Sequence, residues 1–378
     1  MNQHLYVDLH LLQDIPPSNI NRDDTGTPKQ ATYGGVRRLR VSSQAWKRAT
    51  RLAFQESIDA SQLGVRTRQF VSLLADELRR NGVEAPLADQ LATAASGALG
   101  IKAGKKAANL AYLLFCSRPQ VAEIVQGVLA AIESGVEGQD LDDAVAAIDV
   151  KGILNQGHSL DVALFGRMVA DVADLNVDAA AQVAHALSTH AAETDFDYFT
   201  AVDDENADSE PGAGMIGTVE FNSATLYRYA TVGVHQLLDN LMDATATVAG
   251  VVEFVRAFTM SMPAGHKTSF APHTRPGFVG VVLRTDQPVN LVSAFEKPIP
   301  SSQGTFEPSL VKLGEFAVGE AALWGDHPLA TAASYRAPSQ NTEVVAQAFG
   351  PSVPFGELLD EVRTVVGEWL TANGASEA

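Results

Sequence analysis

The sequence has a single cysteine, Cys116, among its 378 residues. One cysteine excludes an internal disulfide and favours a reducing cytoplasm. No apolar run reaches the roughly 18 residues of a membrane span, and the longest, 248–262, is interrupted by Glu253 and Arg256. The first residues, MNQHLYVDLHLL, lack the basic flank and small-residue cleavage site of a signal peptide. We therefore expect a cytoplasmic protein with no membrane partner.

Enzyme signatures are also missing. The chain contains no C-x-x-C pair, no P-loop and no G-x-S-x-G elbow. His185 and His190 are five residues apart, which is not the spacing of an H-E-x-x-H zinc helix. These absences predict a protein without a metal or cofactor and without catalysis of its own.

Cations are scarce, with 27 Lys and Arg against 45 Asp and Glu, so the net charge is −18. A uniformly acidic surface of this kind keeps a protein soluble and repels phosphate. Apolar residues make up 46% and charged residues 19%, a balance typical of a globular chain. The length allows one large domain with insertions or two to three ordinary domains.

The positive charge is concentrated in one segment, Asn21 to Arg51, which we call the basic segment. It holds eight cations and only two acids, Asp23 and Asp24, so it carries +6 and the rest of the chain carries −24. Its cations are Arg22, Lys29, Arg37, Arg38, Arg40, Lys47, Arg48 and Arg51. Arg and Lys neutralise phosphates and release counterions, so this asymmetry indicates contact with a nucleic-acid backbone.

The pattern within the segment predicts a strand over Val36–Val41. Its period of two places Arg38 and Arg40 on one face, with the apolar residues and Arg37 on the other. We therefore expect Arg38 and Arg40 to face phosphate and Arg37 to be structural. A solvated basic face, or arginines paired with the excess carboxylates, is the alternative.

A helix to about Ser57 is predicted next, capped by Ser42 or Ser43. Lys47 and Arg51 are four residues apart and share one face of it. The N–H groups at the start of this helix would suit an anion.

The remaining sequence predicts an α+β core interrupted twice. We expect a half-buried strand at 5–11, a loop at 13–35, and no strand between about 59 and 148. The predicted helices are 67–80, 86–99, 104–116, 121–134, 141–148, 178–190, 235–260 and 355–371. The predicted strands are 159–169, 218–234 and 277–283, and 194–214 is predicted to be an acidic loop.

Several motifs, in order, resemble the CasC backbone subunit of type I-E CRISPR Cascade complexes. The motifs are NRDD (21–24), YGGVRRLRVSSQAWKRATR (33–51), DVALFGRM (161–168), AHALSTH (184–190), DFDYFTAVDD (195–204), GTVEFNSATLYRYA (217–230) and AFEK (294–297). SSQ-x-x-KRA and D-x-FTAVDD are long enough to be specific, whereas 58–150 matches only in helical character.

The resemblance implies a hand-shaped protein with an RNA-recognition-motif-like (ferredoxin-like) palm. The palm would comprise 1–57, 183–193 and 223–378, the helical fingers 58–182 and the thumb 194–222. Copies would assemble head to tail along one CRISPR RNA with other Cascade subunits. The guide, rather than the protein, would read target DNA by base pairing.

The resemblance also implies roles for individual residues. It places seven of them near RNA phosphates: Arg22, Arg40, Ser43, Gln44, Lys47, Arg48 and Arg51. Met168 would stack against bases, and Phe199, Thr200 and Val202 in the thumb would wedge out a displaced base. A core methionine, and an aromatic that anchors an acidic loop, are the alternatives for Met168 and Phe199.

Three further expectations concern other candidate sites. Lys267 falls where the family has a basic loop, and the resemblance implies RNA contact there. Lys102, Lys105 and Lys106 are candidates for target-DNA contact, with a solvated helix face as the alternative. A ribonuclease that uses Asp23 or Asp24 is the alternative function, since related backbone subunits of type III complexes cleave RNA with a loop aspartate.

Overall fold

The computed structural model describes residues 4–101, 104, 109–200, 216–300, 302, 304–338 and 341–374. The strands are β1 Tyr6–Ser18, β2 Gln30–Tyr33, β3 Val36–Val41, β4 Gly64–Thr67, β5 Leu114–Ser117, β6 Ala181–Val183, β7 Ala186–Ser188, β8 Asp195–Thr200, β9 Ile216–Gly233, β10 Phe278–Arg284 and β11 Ala330–Tyr335. The helices are α1 Ser43–Ala53, α2 Phe70–Arg80, α3 Ala85–Gly97, α4 Arg118–Glu133, α5 Gln139–Ala146, α6 Val150–Leu154, α7 Leu160–Phe165, α8 Val234–Leu241, α9 Ala244–Met260, α10 Lys267–Phe270, α11 Phe306–Trp324, α12 Thr342–Phe349 and α13 Phe355–Ala372.

Most of these strands form one sheet, in the order β11-β10-β1-β9-β7-β3-β2, and β6 and β8 also pair with β9. Strand β1 runs antiparallel to β10, from Tyr6 opposite Arg284 to Leu12 opposite Phe278. The long β9 is rich in β-branched and aromatic residues, which favour strands. The mixed helix and sheet content agrees with the predicted α+β class.

The prediction that β1 is half-buried was wrong, because both of its faces are covered. Helix α11 packs against β1, and the ring of Phe349 in α12 lies 5.8 Å from that of His10. The polar residues Asp8 and His10 are therefore buried with the apolar ones. Asp8 accepts hydrogen bonds from the Tyr229 hydroxyl (2.9 Å) and the Val289 N–H (2.8 Å).

These two buried groups respond to pH in opposite directions. Burial lowers the pKa of His10 from 6.5 to about 3, so its contribution to stability is lost as the pH falls below 6.5. Burial raises the pKa of Asp8 from 3.8 to about 6, so protonation of Asp8 favours the folded state as the pH falls below 6. Between pH 7 and 5 the first effect costs about 2 kcal/mol and the second contributes about 1 kcal/mol, so they partly cancel.

We therefore expect His10→Gln to remove the loss of stability that His10 causes at acid pH. The stabilisation from protonation of Asp8 should remain. Relative to wild type, this variant should become about 2 kcal/mol more stable on going from pH 7 to pH 5. Urea unfolding of both proteins at the two pH values measures the difference. Parallel losses of stability in both proteins would contradict the assignment to His10.

The chain divides into two compact units. The first comprises Met1–Phe54, Gln182–Val232 and Val251–Ala375, and the second is mainly Gln55–Ala181 with Gly233–Gly250. An apolar cluster in the first unit gathers residues such as Leu12, Phe278 and Phe295. A separate cluster in the second unit is built largely from α2 to α6. Each unit therefore has its own buried core.

Most predicted helices and strands are present, but five further predictions were wrong. The predicted loop 13–35 contains the end of β1 and the whole of β2. The stretch 159–169 forms α7 instead of a strand, and the helix ends at Gly166, where φ is +72°. The stretch 178–190 forms β6 and β7 instead of a helix, because pairing with β9 and β3 overrides its alanine-rich propensity. The predicted helix 104–116 instead contains the start of β5, which pairs with β4, so the second unit does contain strands. The predicted acidic loop begins with β8.

Among the helices that the structure describes, none is long and apolar enough to cross a membrane.

Candidate nucleic-acid interface

The basic segment forms β2, β3 and α1 of the first unit, and its helix is tied to the preceding loop. Ser42 is the N-cap of α1, and its hydroxyl accepts a hydrogen bond from the Ala45 N–H at 3.3 Å. The Ser42 N–H in turn donates to the side-chain oxygen of Asn21 at 2.8 Å. Asn21, the first residue of NRDD, therefore orients the start of the helix.

The start of α1 offers fewer open donors than expected. The Ser43 N–H donates to Nδ1 of His185 at 2.9 Å, and the Ala45 N–H is taken by the Ser42 cap. Two of the first three N–H groups are thus occupied, which corrects the expectation of an open anion site. Burial first, and then the cations Arg40 and Lys29, lower the pKa of His185. A neutral ring can accept from Ser43, and the two cations lie within electrostatic reach of it.

Arg38 corrects the expectation of a phosphate contact. It is 0% exposed. Its guanidinium donates to the carbonyl oxygens of Tyr33 (3.1 Å), Ser188 (3.0 Å), Phe295 (2.8 Å) and Glu296 (3.2 Å). Arg38 is therefore a structural residue.

The strand phase was right, but the prediction of which arginine is structural was reversed. Arg37, expected to be structural, is exposed. The chain at Glu296 approaches Gly34 so closely that a Cβ on Gly34 would lie 1.7 Å from the Glu296 carbonyl oxygen. The backbone of Gly34 also has a φ of +60°. This approach brings the carbonyls of 295–296 over the face of β3 that bears Arg38. Only glycine fits at position 34.

The other predicted phosphate contacts of the segment retain access to solvent. Arg22, Gln44 and Arg48 are exposed. Arg40, Ser43, Lys47 and Arg51 are partly exposed. Burial lowers the pKa of the Lys47 amine. On α1, the apolar face with Trp46 is buried and holds the cationic face outward.

The structure brings Arg22 together with the residues that precede helix α10, whose first residue is Lys267. The Arg22 guanidinium contacts Nε2 of His266, next to the exposed Lys267. At the adjacent Gly265, a Cβ would lie 2.5 Å from the carbonyl oxygen of Ile20 and 2.6 Å from that of Asn19. Two loops that are 244 residues apart are therefore in direct contact. Sequence spacing alone gave no signal for this junction.

Asp23 holds a turn. Its carboxylate accepts from the Thr25 N–H (2.9 Å), the Thr25 hydroxyl (2.7 Å) and the Thr27 N–H (3.1 Å). The hydrogen bonds from Thr25 are the main cause of a lowered pKa for Asp23. These three hydrogen bonds give the Asp23 carboxylate a structural role in the turn. Among the described residues, no group of three or more His, Cys, Asp and Glu could hold a metal ion.

Strand β8 presents more aromatic surface than the sequence analysis identified. Phe199 is 37% exposed and lies opposite Gly217 of β9. Its ring lies on that glycine, because a Cβ there would meet Phe199 at 2.4 Å. Phe196 and Tyr198 are 67% and 63% exposed, and strand alternation puts them on the opposite face, with Thr200. They were missed because the resemblance pointed only to 199, 200 and 202; Val202 itself lies outside the described residues.

In the second unit, Met168 is 83% exposed, so the alternative of a core methionine was wrong. It follows Arg167, which is buried and donates to the Leu175 and Leu154 carbonyls. The buried Arg167 therefore anchors the chain immediately before Met168. Lys102, Lys105 and Lys106 lie outside the residues that the structure describes.

Comparisons with known proteins cover nearly the whole chain. A family model that describes CT1975-like proteins matches residues 7–361. A solved chain in a "CRISPR RNA-guided surveillance complex, pre-nicking" is 31% identical, with a TM-score of 0.85, covering 96% of this chain and 100% of that one. Another, from a "CRISPR RNA-guided surveillance complex", is 27% identical, with a TM-score of 0.72, covering 95% and 99%. No curated protein matches the chain.

Proposed function

This chain belongs to the CT1975-like family of CRISPR-associated proteins, and on that premise we propose that it is a non-catalytic CRISPR RNA-binding backbone subunit of a type I-E Cascade complex. Several copies would assemble head to tail along the guide RNA, together with other Cascade subunits. The complex would bind target DNA through the guide, in antiviral defence in the cytoplasm.

One observation carries the proposal: the basic segment is a cationic surface in a chain of net charge −18. Helix α1 presents Lys47 and Arg51 from one face, with Arg48 exposed beside them. Arg22 and Lys267 extend the positive charge through the contact at His266. A surface of this kind binds phosphates without reading bases, which suits a guide of any sequence. The acidic remainder would confine the RNA to this surface.

The proposed architecture keeps the hand-shaped division. An RNA-recognition-motif-like palm (1–57, 183–193, 223–378) would hold the RNA backbone, with fingers at 58–182 and a thumb at 194–222. Met168, Phe199, Thr200 and Val202 would contact bases. The exposed side chains of Met168 and of Phe199 in β8 support these roles, because an apolar side chain can replace a stacked base.

The test is to purify the protein from cells that also express the other Cascade subunits. We expect a short RNA of uniform length to co-purify, with several copies of this chain per RNA. The matched control is a variant with Lys47→Ala and Arg51→Ala, which should recover less RNA. Recovery of the wild-type chain as a monomer without RNA would refute the proposal.

RNA cleavage is the competing function. Asp23 is an unsuitable catalytic group in this conformation, since three hydrogen bonds direct its carboxylate into its own turn. We therefore expect labelled RNA to survive incubation with the protein and Mg²⁺. Specific cuts that Asp23→Asn abolishes would establish the nuclease instead.

The thumb supplies a separate prediction. We expect Phe199→Ala to weaken RNA binding by about tenfold, because loss of one base–aromatic contact costs about 1–3 kcal/mol. The melting temperature of the free protein should change little, since the ring is 37% exposed. Trp324→Ala is the control, because Trp324 is an exposed aromatic at the end of α11. Equal loss of RNA affinity in both variants, or a melting point several degrees lower for Phe199→Ala, would contradict the assignment.

A further inference from the structure

One pair of strands in the first unit packs little against the rest of that unit. We call it the arm: it consists of β8 and residues 216–221 of β9, which pair antiparallel along their whole length. All six residues of β8 are exposed. The position of the arm therefore depends on contacts at its base, where Glu220 and Phe221 lie opposite the first two residues of β8.

Two contacts hold the base of the arm. The side-chain amide of the buried Asn19 donates to the Glu220 carbonyl (3.0 Å) and to the Gly26 carbonyl (2.8 Å). The ring of Phe221 lies 5.7 Å from the ring of Phe270 and is tilted relative to it. The base is therefore tied to two separate segments, because Gly26 belongs to the turn that follows NRDD and Phe270 is the last residue of α10.

The same two segments carry a predicted phosphate contact. Arg22 lies in the first of them, and its guanidinium contacts Nε2 of His266, the residue before α10. The rings of His266 and Phe270 lie 6.0 Å apart, edge to face. A continuous series of contacts therefore joins Arg22 to Phe221 at the base of the arm.

Helix α10 is strained where these contacts meet. The residues that flank it, His266 and Ala271, have φ of +43° and +45°, in the left-handed region that non-glycine residues rarely adopt. Such strain persists only where surrounding contacts fix the backbone, and it is frequent at functional sites. Gly265 leaves no room for a Cβ beside the Asn19 carbonyl, so the two segments are also in close backbone contact.

We propose that Asn19 and Phe270 are positioning residues, which fix the arm relative to Arg22. A phosphate bound at Arg22 and a base bound at Phe199 then strengthen each other, because each finds the other contact already in place. Phe199 lies four residues along the arm from its base, about 14 Å away, so a loose base would displace its ring. The inference rests on the proposed function and adds to it two residues outside the predicted RNA contacts.

The first measurement uses the free full chain, without RNA. Phe270→Ala removes the ring that contacts the base of the arm, and Phe316→Ala removes another partly buried ring of the same unit, in α11. Amide hydrogen exchange in β8 should become about threefold to tenfold faster in Phe270→Ala, which corresponds to the loss of one aromatic pair. Phe270→Tyr retains the ring and should restore the wild-type rate. Phe316→Ala should leave exchange in β8 unchanged.

Asn19→Ala tests the second contact and should also accelerate exchange in β8. A wild-type exchange rate in either Phe270→Ala or Asn19→Ala would overturn the inference, as would equal acceleration in Phe316→Ala. If Phe270→Ala melts well below wild type, Phe270→Leu replaces it, because leucine keeps an apolar side chain without the ring.

The second measurement tests the coupling with a short single-stranded RNA of unrelated sequence. The affinities of wild type, Arg22→Ala, Phe199→Ala and the double variant form a double-mutant cycle. The loss of affinity in the double variant should be smaller than the product of the two single losses, by a factor of about three or more. In the Phe270→Ala background the two losses should multiply, whereas the Phe316→Ala background should keep the coupling.

Losses that multiply in wild type, or a coupling that survives in Phe270→Ala, would overturn the inference and leave the proposed function standing. If the wild-type chain bound no RNA, the proposed function would fail and the coupling with it. The exchange rates would still decide whether Asn19 and Phe270 hold the arm.

Discussion

Replacing Lys47 and Arg51 together by alanine is expected to weaken RNA binding of every sequence tested, by about tenfold to a hundredfold at low salt. Each lost phosphate contact should reduce the log–log salt slope by about 0.7 for single-stranded RNA, so the pair should reduce it by about 1.4. The two residues lie four apart on α1 and share one face. That face is held outward because Trp46 is buried on the other side.

A matched control exists in the same unit. Lys312 and Arg363 are also one lysine and one arginine, on helices α11 and α13. Each lies near an acid, Lys312 at 3.7 Å from Glu315 and Arg363 beside Asp360 at 2.5 Å. Their double alanine variant removes the same charge but should leave the salt slope unchanged. An identical slope in wild type and the Lys47 and Arg51 variant would rule out phosphate contact by these residues.

The second large effect concerns stability. We expect Arg38→Ala to lower the free energy of unfolding by at least about 3 kcal/mol, because each buried acceptor left unpaired costs about 1–3 kcal/mol. The guanidinium of Arg38 satisfies four carbonyl oxygens from three separate segments of the first unit. No shorter side chain can reach all of them. Urea unfolding measures the loss.

Arg37→Ala is the control for this variant. It removes the same charge from the adjacent, exposed position, and surface substitutions usually change stability by less than about 0.5 kcal/mol. RNA affinity of the Arg38→Ala variant distinguishes a structural role from a phosphate contact. If Arg38→Ala left the unfolding free energy unchanged and abolished RNA binding, Arg38 would be a phosphate ligand and its structural assignment would fail.

Local signals in the sequence were sufficient to predict part of the candidate interface. Ser42 was one of two serines proposed as the helix cap, and it caps α1. The Val36–Val41 strand was placed at the right residues with the right alternation. These features depend on neighbours within a few residues, so a linear pattern records them.

Contacts between distant segments could not be predicted in the same way. The alternation at β3 did not say which face is covered, because the covering carbonyls of Phe295 and Glu296 are more than 250 residues away. The alanine-rich stretch 178–190 forms β6 and β7 because both strands pair with β9.

The sequence by itself therefore determined the amount of positive charge, the excess of cations over acids in Asn21–Arg51, and the helix that presents Lys47 and Arg51. Only the tertiary structure decided which cations are available to a ligand: it buried Arg38, exposed Arg37 and joined Arg22 to His266. The physical reason is that charge and helical periodicity are local properties of the chain. Burial and hydrogen-bond partners, by contrast, depend on which distant segments pack together.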